Sequence, residues 1–247
     1  MLLKDRVCLV TGASRGIGAG IVECFVAEGA TVYANARATS CLDQVCKALT
    51  EMGPGEAIPV YFDVRNTGAI KECVMRIKKE RSRLDVLVNN AGVMKDAMLG
   101  MISDNMIEET FSTNVVPVIQ GMQYAAKLMV RQGGGSIINI ASIVGVVGNK
   151  NQVLYSASKG AVIAMTKSAA KELAPHHIRV NAIAPGVVDT DLFNQIGPEK
   201  VGHLLSSVGM GRVAMPKDIA GVCLFLASDM SSYVTGEVIR ADGALVM

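Results

Sequence analysis

Short apolar runs alternate with longer stretches of helical periodicity along most of this chain, and the alternation restricts the possible folds more than any single motif does. Val7–Val10 is the first apolar run and leads into a glycine-rich turn. Ile21, Val22, Phe25 and Val26 follow at the spacing of one buried helix face, and Gly29 closes that pattern before a second run at 31–34. The unit repeats, with strands expected at 57–62, 86–88, 136–140 and 179–183 and helices at 67–83, through 103–131, and from about 155 to 173. Strands that are apolar throughout have no face to offer water, so the sheet must be parallel and covered by helices on both sides. The expectation is a single-domain, doubly wound α/β fold of about seven strands, with residues 1–247 forming one unit.

Composition narrows the functions such a fold can serve. Hydrophobic residues make up 50% and charged residues 19% of the 247, with a mean hydropathy of +0.36, which is globular. The 24 basic and 22 acidic residues are spread evenly, and a net charge of +2 gives no broad field for nucleic acid or an anionic membrane. No apolar run approaches the ~18–20 residues of a membrane span, and the first strand starts too near Met1 for a targeting peptide. A cytoplasmic protein is expected. The six cysteines form no CxxC pair and the three histidines show no ligand spacing with them, so reduced thiols and no metal site are expected. The least regular stretch, about 186–215, follows a strand end and carries Gly186, Gly197, Pro198, Gly202, Gly209 and Gly211, which suits a substrate lid. Its Leu192, Phe193, Ile196, Val201, Leu204, Leu205 and Val208 suit an acyl chain, or equally a short helix packed on the sheet.

The turn after the first strand reads Thr11-Gly12-Ala13-Ser14-Arg15-Gly16-Ile17-Gly18. Gly12, Gly16 and Gly18 stand where a tight turn, a close approach of backbone to phosphate and close helix packing each disfavour a side chain. The helix starting there turns N–H groups and its positive dipole end toward an anion, so a dinucleotide in a Rossmann-type site is expected. An NAD site usually carries an acid at the end of the second strand, but Ala34-Asn35-Ala36-Arg37 has none. Arg37, with Arg15, suits a 2′-phosphate, and NADP(H) is the expected cofactor. Asp63 is placed to accept from the adenine amino group. Asn89-Asn90-Ala91-Gly92 ends the fourth strand and suits the nucleotide at the switch point, although asparagines there also suit a turn.

Tyr155 and Lys159 are four residues apart in an expected helix, so phenol and ammonium share one face, with Ser142 thirteen positions upstream. A tyrosine pKa of about 10 is too high for efficient proton exchange near neutrality, and a fixed positive neighbour would favour the phenolate. Taken singly, Ser142 could cap a turn, Asn114 could satisfy helix backbone, Tyr155 could lie in an interface and Lys159 could face solvent. All four in register with a nucleotide fold describe a proton-transfer site.

In order, Thr11-Gly12-x-x-x-Gly16-x-Gly18, Asn89-Asn90-Ala91-Gly92, Asn114, Ser142, Tyr155-x-x-x-Lys159 and Pro185-Gly186 resemble the short-chain dehydrogenase/reductase family over essentially the whole chain. Val180-Asn181-Ala182-Ile183-Ala184-Pro185-Gly186 and Thr235-Gly236-Glu237 are most similar to its 3-oxoacyl-(acyl-carrier-protein) reductases. The resemblance implies that Tyr155 protonates a substrate carbonyl, that Ser142 orients it, that Lys159 binds the nicotinamide ribose and favours tyrosinate, and that Asn114 positions a water against Lys159. It implies nucleotide contacts from Gly12, Ser14, Arg15, Gly16, Ile17, Gly18, Arg37, Asp63, Val64, Asn90, Ala91, Gly92, Tyr155 and Lys159, with Pro185, Gly186, Val188 and Thr190 at the nicotinamide.

The implied reaction is NADPH-dependent reduction of a ketone to a secondary alcohol, in particular a 3-oxoacyl group on acyl-carrier protein in fatty acid synthesis, by a homotetramer built on the helices of Asn114 and Tyr155. An acidic carrier calls for cations near the site: Lys127 and Arg131 share a helix face, and Lys171, His176, His177 and Arg179 cluster beyond the catalytic helix. The family's docking arginine there is replaced by His176-His177. Two alternatives stay open: a reductase of another small carbonyl (quinone, sugar, steroid or xenobiotic ketone), and a dinucleotide-binding regulatory protein without turnover.

Overall fold

A computed structural model describes residues 1–37, 42–66, 68–190 and 206–246. Seven strands, β1 (Val7–Val10), β2 (Thr31–Ala36), β3 (Glu56–Tyr61), β4 (Val86–Asn89), β5 (Gly135–Ile140), β6 (Ile178–Pro185) and β7 (Val238–Ala241), form one sheet in the order β3-β2-β1-β4-β5-β6-β7. Every pairing is parallel. The helices among the described residues are α1 (Gly16–Ala27), α2 (Leu42–Met52), α3 (Ala69–Arg81), α4 (Asp104–Asn114), α5 (Val116–Gln132), α6 (Val144–Val147), α7 (Val153–Leu173) and α8 (Pro216–Ala227).

Alternate strand residues enter two separate cores, as the period of two along a strand requires. Cys8, Val10, Val32, Ala34, Val86, Val88 and Ile138 pack with α1, α2 and α8. Val7, Leu9, Tyr33, Leu87 and Ile137 pack with α3, α5 and α7. Burying each valine, leucine, isoleucine or phenylalanine stabilises by about 1.5–3 kcal/mol, so a sheet filled on both faces is held rigidly enough to fix what stands at its edge.

The strand order reverses between β1 and β4, which opens a crevice at the carboxyl ends of the strands. The glycine turn follows β1 into that crevice, Asn90 follows β4, and Ser142 follows β5.

Several boundaries differ from those expected. The helix expected at 67–83 is α3, which ends where Ser82 turns left-handed at φ 61°. The stretch 103–131 splits into α4 and α5 because Pro117, in the first turn of α5, has no N–H to extend the α4 ladder. β2 runs on to Ala36, so Asn35 is a strand residue. Of the expected lid, 191–205 lies outside the described residues, and with it Leu192, Phe193, Ile196, Val201, Leu204 and Leu205. Its described ends are fastened together: Asp189 N–H donates to the Ala214 carbonyl at 2.8 Å and Ala214 N–H to the Val187 carbonyl at 2.9 Å.

No described helix is long and apolar enough to cross a membrane. Cys8, Cys24, Cys46, Cys73 and Cys223 are free thiols, and Cys41 lies outside the described residues.

Candidate active site

The glycine turn is shaped by its own neighbours. A Cβ on Gly18 would stand 2.2 Å from the Gly12 carbonyl oxygen, and one on Gly12 would stand 2.8 Å from the Ala91 Cα. Gly12 and Gly16 also have φ of +66° and +56°, a region that side chains disfavour. Asn90 locks the turn, its Nδ2 donating to the Thr11 and Gly12 carbonyls at 2.9 Å each. The Thr11 hydroxyl accepts from the Asn90 and Ala91 N–H groups at 3.0 and 3.1 Å. Asn35, buried at the end of β2, accepts from Gly12 N–H through Oδ1 and from Ala13 N–H through its carbonyl, while its Nδ2 reaches the carbonyls of Val60 and Phe62. That brace was not foreseen; a polar residue in an otherwise apolar strand was its only signal.

The N-cap residue Arg15 makes no side-chain cap bond and the first turn of α1 holds no acid, so the helix end after the glycine turn keeps its positive character. Ser14 and Ile17 flank it within the turn. Arg37 is exposed just after β2 and close enough to Asp63 to help hold its carboxyl below the usual range, chiefly the work of the Arg65 guanidinium, which bonds both oxygens at 2.6–3.1 Å. Val64 beside Asp63 is buried. Thr190 comes within 3.0 Å of where a Gly16 side chain would begin, so the segment after β6, with Pro185, Gly186 and Val188, folds back over the turn. A dinucleotide fits this cradle: a side-chain-free turn at a helix N-terminus, with cations at one end and the β6 segment at the other.

The second half of the site is built on α7. Lys159 is 4% exposed, and its Nζ donates to the Ile140 carbonyl at the end of β5 at 2.8 Å. A Cβ on Gly92 would lie 3.5 Å from that Nζ and 3.3 Å from Asn114 Oδ1, so lysine, asparagine and the Asn89-Asn90-Ala91-Gly92 segment converge. Asn114, 1% exposed, accepts from Val93 N–H and donates to the Val93 carbonyl at 2.8 Å each, and donates to Ser158 Oγ at 3.0 Å. Its side chain therefore braces the exit of β4 against α7. Beneath it a buried polar ladder runs from Asn89 Nδ2 to Asn139 Oδ1 at 2.8 Å, and from Asn139 Nδ2 to Thr166 Oγ1 at 2.9 Å, pinning α7 to β4 and β5. Gly145 of α6 meets the α7 backbone at Lys159, where a Cβ would come within 2.8 Å, and this contact sets Ser142 against Tyr155.

Tyr155 packs on the cluster of Ile143, Val144, Val208 and Leu245, with the Ser142 side chain near enough to favour its ionised form. Burial pushes its pKa up to about 12, against the opposing pull of Ser142 and with a further push from the Asp96 carboxylate. Burial also brings Lys159 down to about 8. Its Nζ sits 5.8 Å from the Tyr155 ring centroid. Burial thus acts on the two groups in opposite senses, raising the phenol and lowering the ammonium. The phenol is protonated at neutral pH, the state a proton donor needs.

Of the basic residues grouped beyond α7, Arg179 is spent internally, donating to Ser231 Oγ at 2.7 Å and to the Ser228 carbonyl at 3.2 Å. Among the described residues no group of three or more His, Cys, Asp or Glu side chains is placed to hold a metal ion.

The family model described as enoyl-(acyl carrier protein) reductase matches residues 12–245. A 3-oxoacyl-(acyl-carrier-protein) reductase of Thermotoga maritima is 43% identical over 248 residues, covering 100% of both chains. A 3alpha-hydroxysteroid dehydrogenase of Mediterraneibacter gnavus is 39% identical over 99% of this chain and 98% of that one. A solved short-chain type dehydrogenase/reductase from Mycobacterium ulcerans matches with a TM-score of 0.95 at 31% identity, over 99% of this chain and 90% of that chain.

Proposed function

The chain belongs to the short-chain dehydrogenase/reductase family, oxidoreductases that interconvert CH–OH and C=O, and we propose that it uses NADPH to reduce a 3-oxoacyl thioester to the 3-hydroxyacyl thioester in fatty acid synthesis. The observation that carries this reading is the convergence of Lys159 and Asn114 at Gly92, with the Lys159 Nζ 5.8 Å from the ring centroid of a protonated Tyr155 and Ser142 close to its phenol. Two neighbouring hydroxyls suit a ketone oxygen, because ketone reduction ends with the proton on oxygen. They suit the carbon–carbon double bond named in the family model's description less well. Bound NADPH supplies the hydride to the carbonyl carbon. Ser142 holds the oxygen, Tyr155 delivers its proton to it, and Lys159, on the Ile140 carbonyl, keeps a positive charge beside the phenol as it loses that proton. Asn114 keeps α7 in register with the β4 exit, and an ordered water between Asn114 and Lys159 would return protons from solvent.

NADPH is favoured over NADH by Arg37 and by the absence of an acid at the end of β2, and a cofactor that cells hold reduced favours the reductive direction. Arg37→Asp should move the preference toward NADH; an unchanged ratio of the two kcat/KM values would make Arg37 a bystander. An acyl-carrier protein as substrate carrier is supported by the name of the Thermotoga maritima relative and by a groove between α5 and α7 lined by Lys127, Arg131 and His176. A homotetramer is supported by Ile107 on α4, Ile119 on α5 and Val153 on α7, apolar side chains that are 43–50% exposed.

The hydroxysteroid dehydrogenase relative favours one second reading, reduction of another small or steroid ketone by the same residues. Following NADPH consumption with acetoacetyl thioesters against a panel of steroid, quinone and sugar ketones separates the two. Preference for the thioester supports 3-oxoacyl reduction, and no turnover of any carbonyl would favour a regulatory dinucleotide-binding protein.

A further inference from the structure

One charged group outside the four residues assigned to chemistry is bound to the N-terminal end of the helix that carries Tyr155. Asp96 is exposed in the loop after β4, near enough for its carboxylate to disfavour ionisation of that phenol. It is held in place. Gln152 Nε2 lies 3.1 Å from both Asp96 oxygens, and Gln152 Oε1 accepts from Asn149 Nδ2 at 2.9 Å, which fixes the amide's orientation. Ala97 N–H donates to the Asn151 carbonyl at 2.9 Å, and the Gln152 carbonyl accepts from Ser156 N–H at 2.7 Å, tying the loop to the first turn of α7 that carries Tyr155. Among the described residues Lys95 pairs with Glu109 and Lys159 donates to the Ile140 carbonyl, while Lys150 is exposed two residues before Gln152. Asp96 is therefore a fixed negative charge beside the first turn of α7.

In a free 3-oxo acid the carboxylate is two bonds from the ketone carbon. A ketone oxygen bonded to Ser142 and Tyr155 would bring that carboxylate into the field of Asp96, whereas thioesterification removes the charge and keeps the shape. We infer that Asp96 is a specificity-determining residue that rejects ketones carrying a carboxylate beside the reacting carbonyl and admits neutral thioesters of the same acids. This rests on the ketone-reductase reading. Like charges a few ångströms apart at a wet site are worth about a factor of ten in selectivity, and an exposed partner makes the effect sensitive to salt.

The test compares acetoacetate with its neutral N-acetylcysteamine thioester, measured as kcat/KM with NADPH at low ionic strength. Asp96→Asn should raise the acid-to-thioester ratio about tenfold, mainly through KM for the acid. Glu51→Gln removes one remote surface charge and should keep the parent's ratio. In the parent itself about 0.5 M salt, which shortens the Debye length to a few ångströms, should raise the same ratio without any substitution. A ratio unmoved by Asp96→Asn, or a parental ratio indifferent to salt, overturns the role of Asp96. A parent that reduces neither compound overturns the ketone-reductase reading, and this inference with it.

Discussion

Replacing Lys159 with methionine should abolish turnover yet leave the protein as stable at pH 7 or more so. The lysine is 4% exposed, and burial moves its pKa from the ordinary 10.5 to about 8. That gap of about 2.5 units amounts to about 3 kcal/mol opposing folding at neutral pH, at about 1.36 kcal/mol per unit. Methionine fills similar space without the charge but leaves the Ile140 carbonyl unpaired, a loss of about 1–3 kcal/mol. The net expectation for Lys159→Met is between no change and a gain of about 2 kcal/mol.

The pH dependence isolates the cause. The unfolded chain keeps this proton up to about pH 10.5 and the folded one only to about 8, so between those values unfolding takes up protons. Parent stability must then rise with pH through that window from this group, and the variant must lack the rise. Cys46, Cys73 and the Tyr155 phenol, raised by burial, pull the other way at higher pH, but in both proteins, and largely cancel in the difference. Urea denaturation at pH 7, 8, 9 and 10 reads it directly. A variant less stable than the parent by more than about 1 kcal/mol at pH 7, or a difference independent of pH, would refute the buried-charge account.

Gly18→Ala places a methyl 2.2 Å from the Gly12 carbonyl oxygen, backbone that cannot step aside, so it should cost about 2 kcal/mol or more and remove the thermal stabilisation given by NADPH. A variant that melts and responds to NADPH like the parent would show that the turn has slack. Asn114→Ala strips three hydrogen bonds, one buried and two part-buried, and orphans the Val93 N–H and carbonyl, so a loss of about 2–4 kcal/mol is expected in denaturant unfolding. A loss below about 0.5 kcal/mol would mean that the brace between β4 and α7 is dispensable.

The Tyr155–Lys159 pairing and the glycine turn were legible because each depends on spacing along one element: Tyr155 and Lys159 lie four apart on one helix, and Gly12, Gly16 and Gly18 sit in one turn. The β/α alternation was legible because strands buried on two faces are mostly apolar. Elements α2, α8 and β7 went unplaced for different reasons. α2 does show Leu42, Cys46 and Leu49 at helical spacing, a signal present but short. α8 is wedged against α1 and is apolar almost all round, so it lacks the polar face that marks a helix; Pro216 and Asp218 in its first turn were the available sign. β7 is a partly buried edge with little pattern. Asn35, Asn139 and Asp96 act through partners distant in sequence, Gly12, Thr166 and Gln152, which no local periodicity reveals. The balance between burial and attraction at Tyr155 depends on how dry the site is, which follows from packing.

The most direct test of the proposed chemistry removes one oxygen atom. Tyr155→Phe keeps the ring packed against Ile143 and Val208 while deleting the hydroxyl beside Ser142. Reduction of an acetoacetyl thioester should fall by about a hundredfold to ten-thousandfold, with NADPH affinity, read by calorimetry, within a few-fold of the parent. A variant that still reduces the ketone at a rate near the parent's would contradict proton delivery by Tyr155.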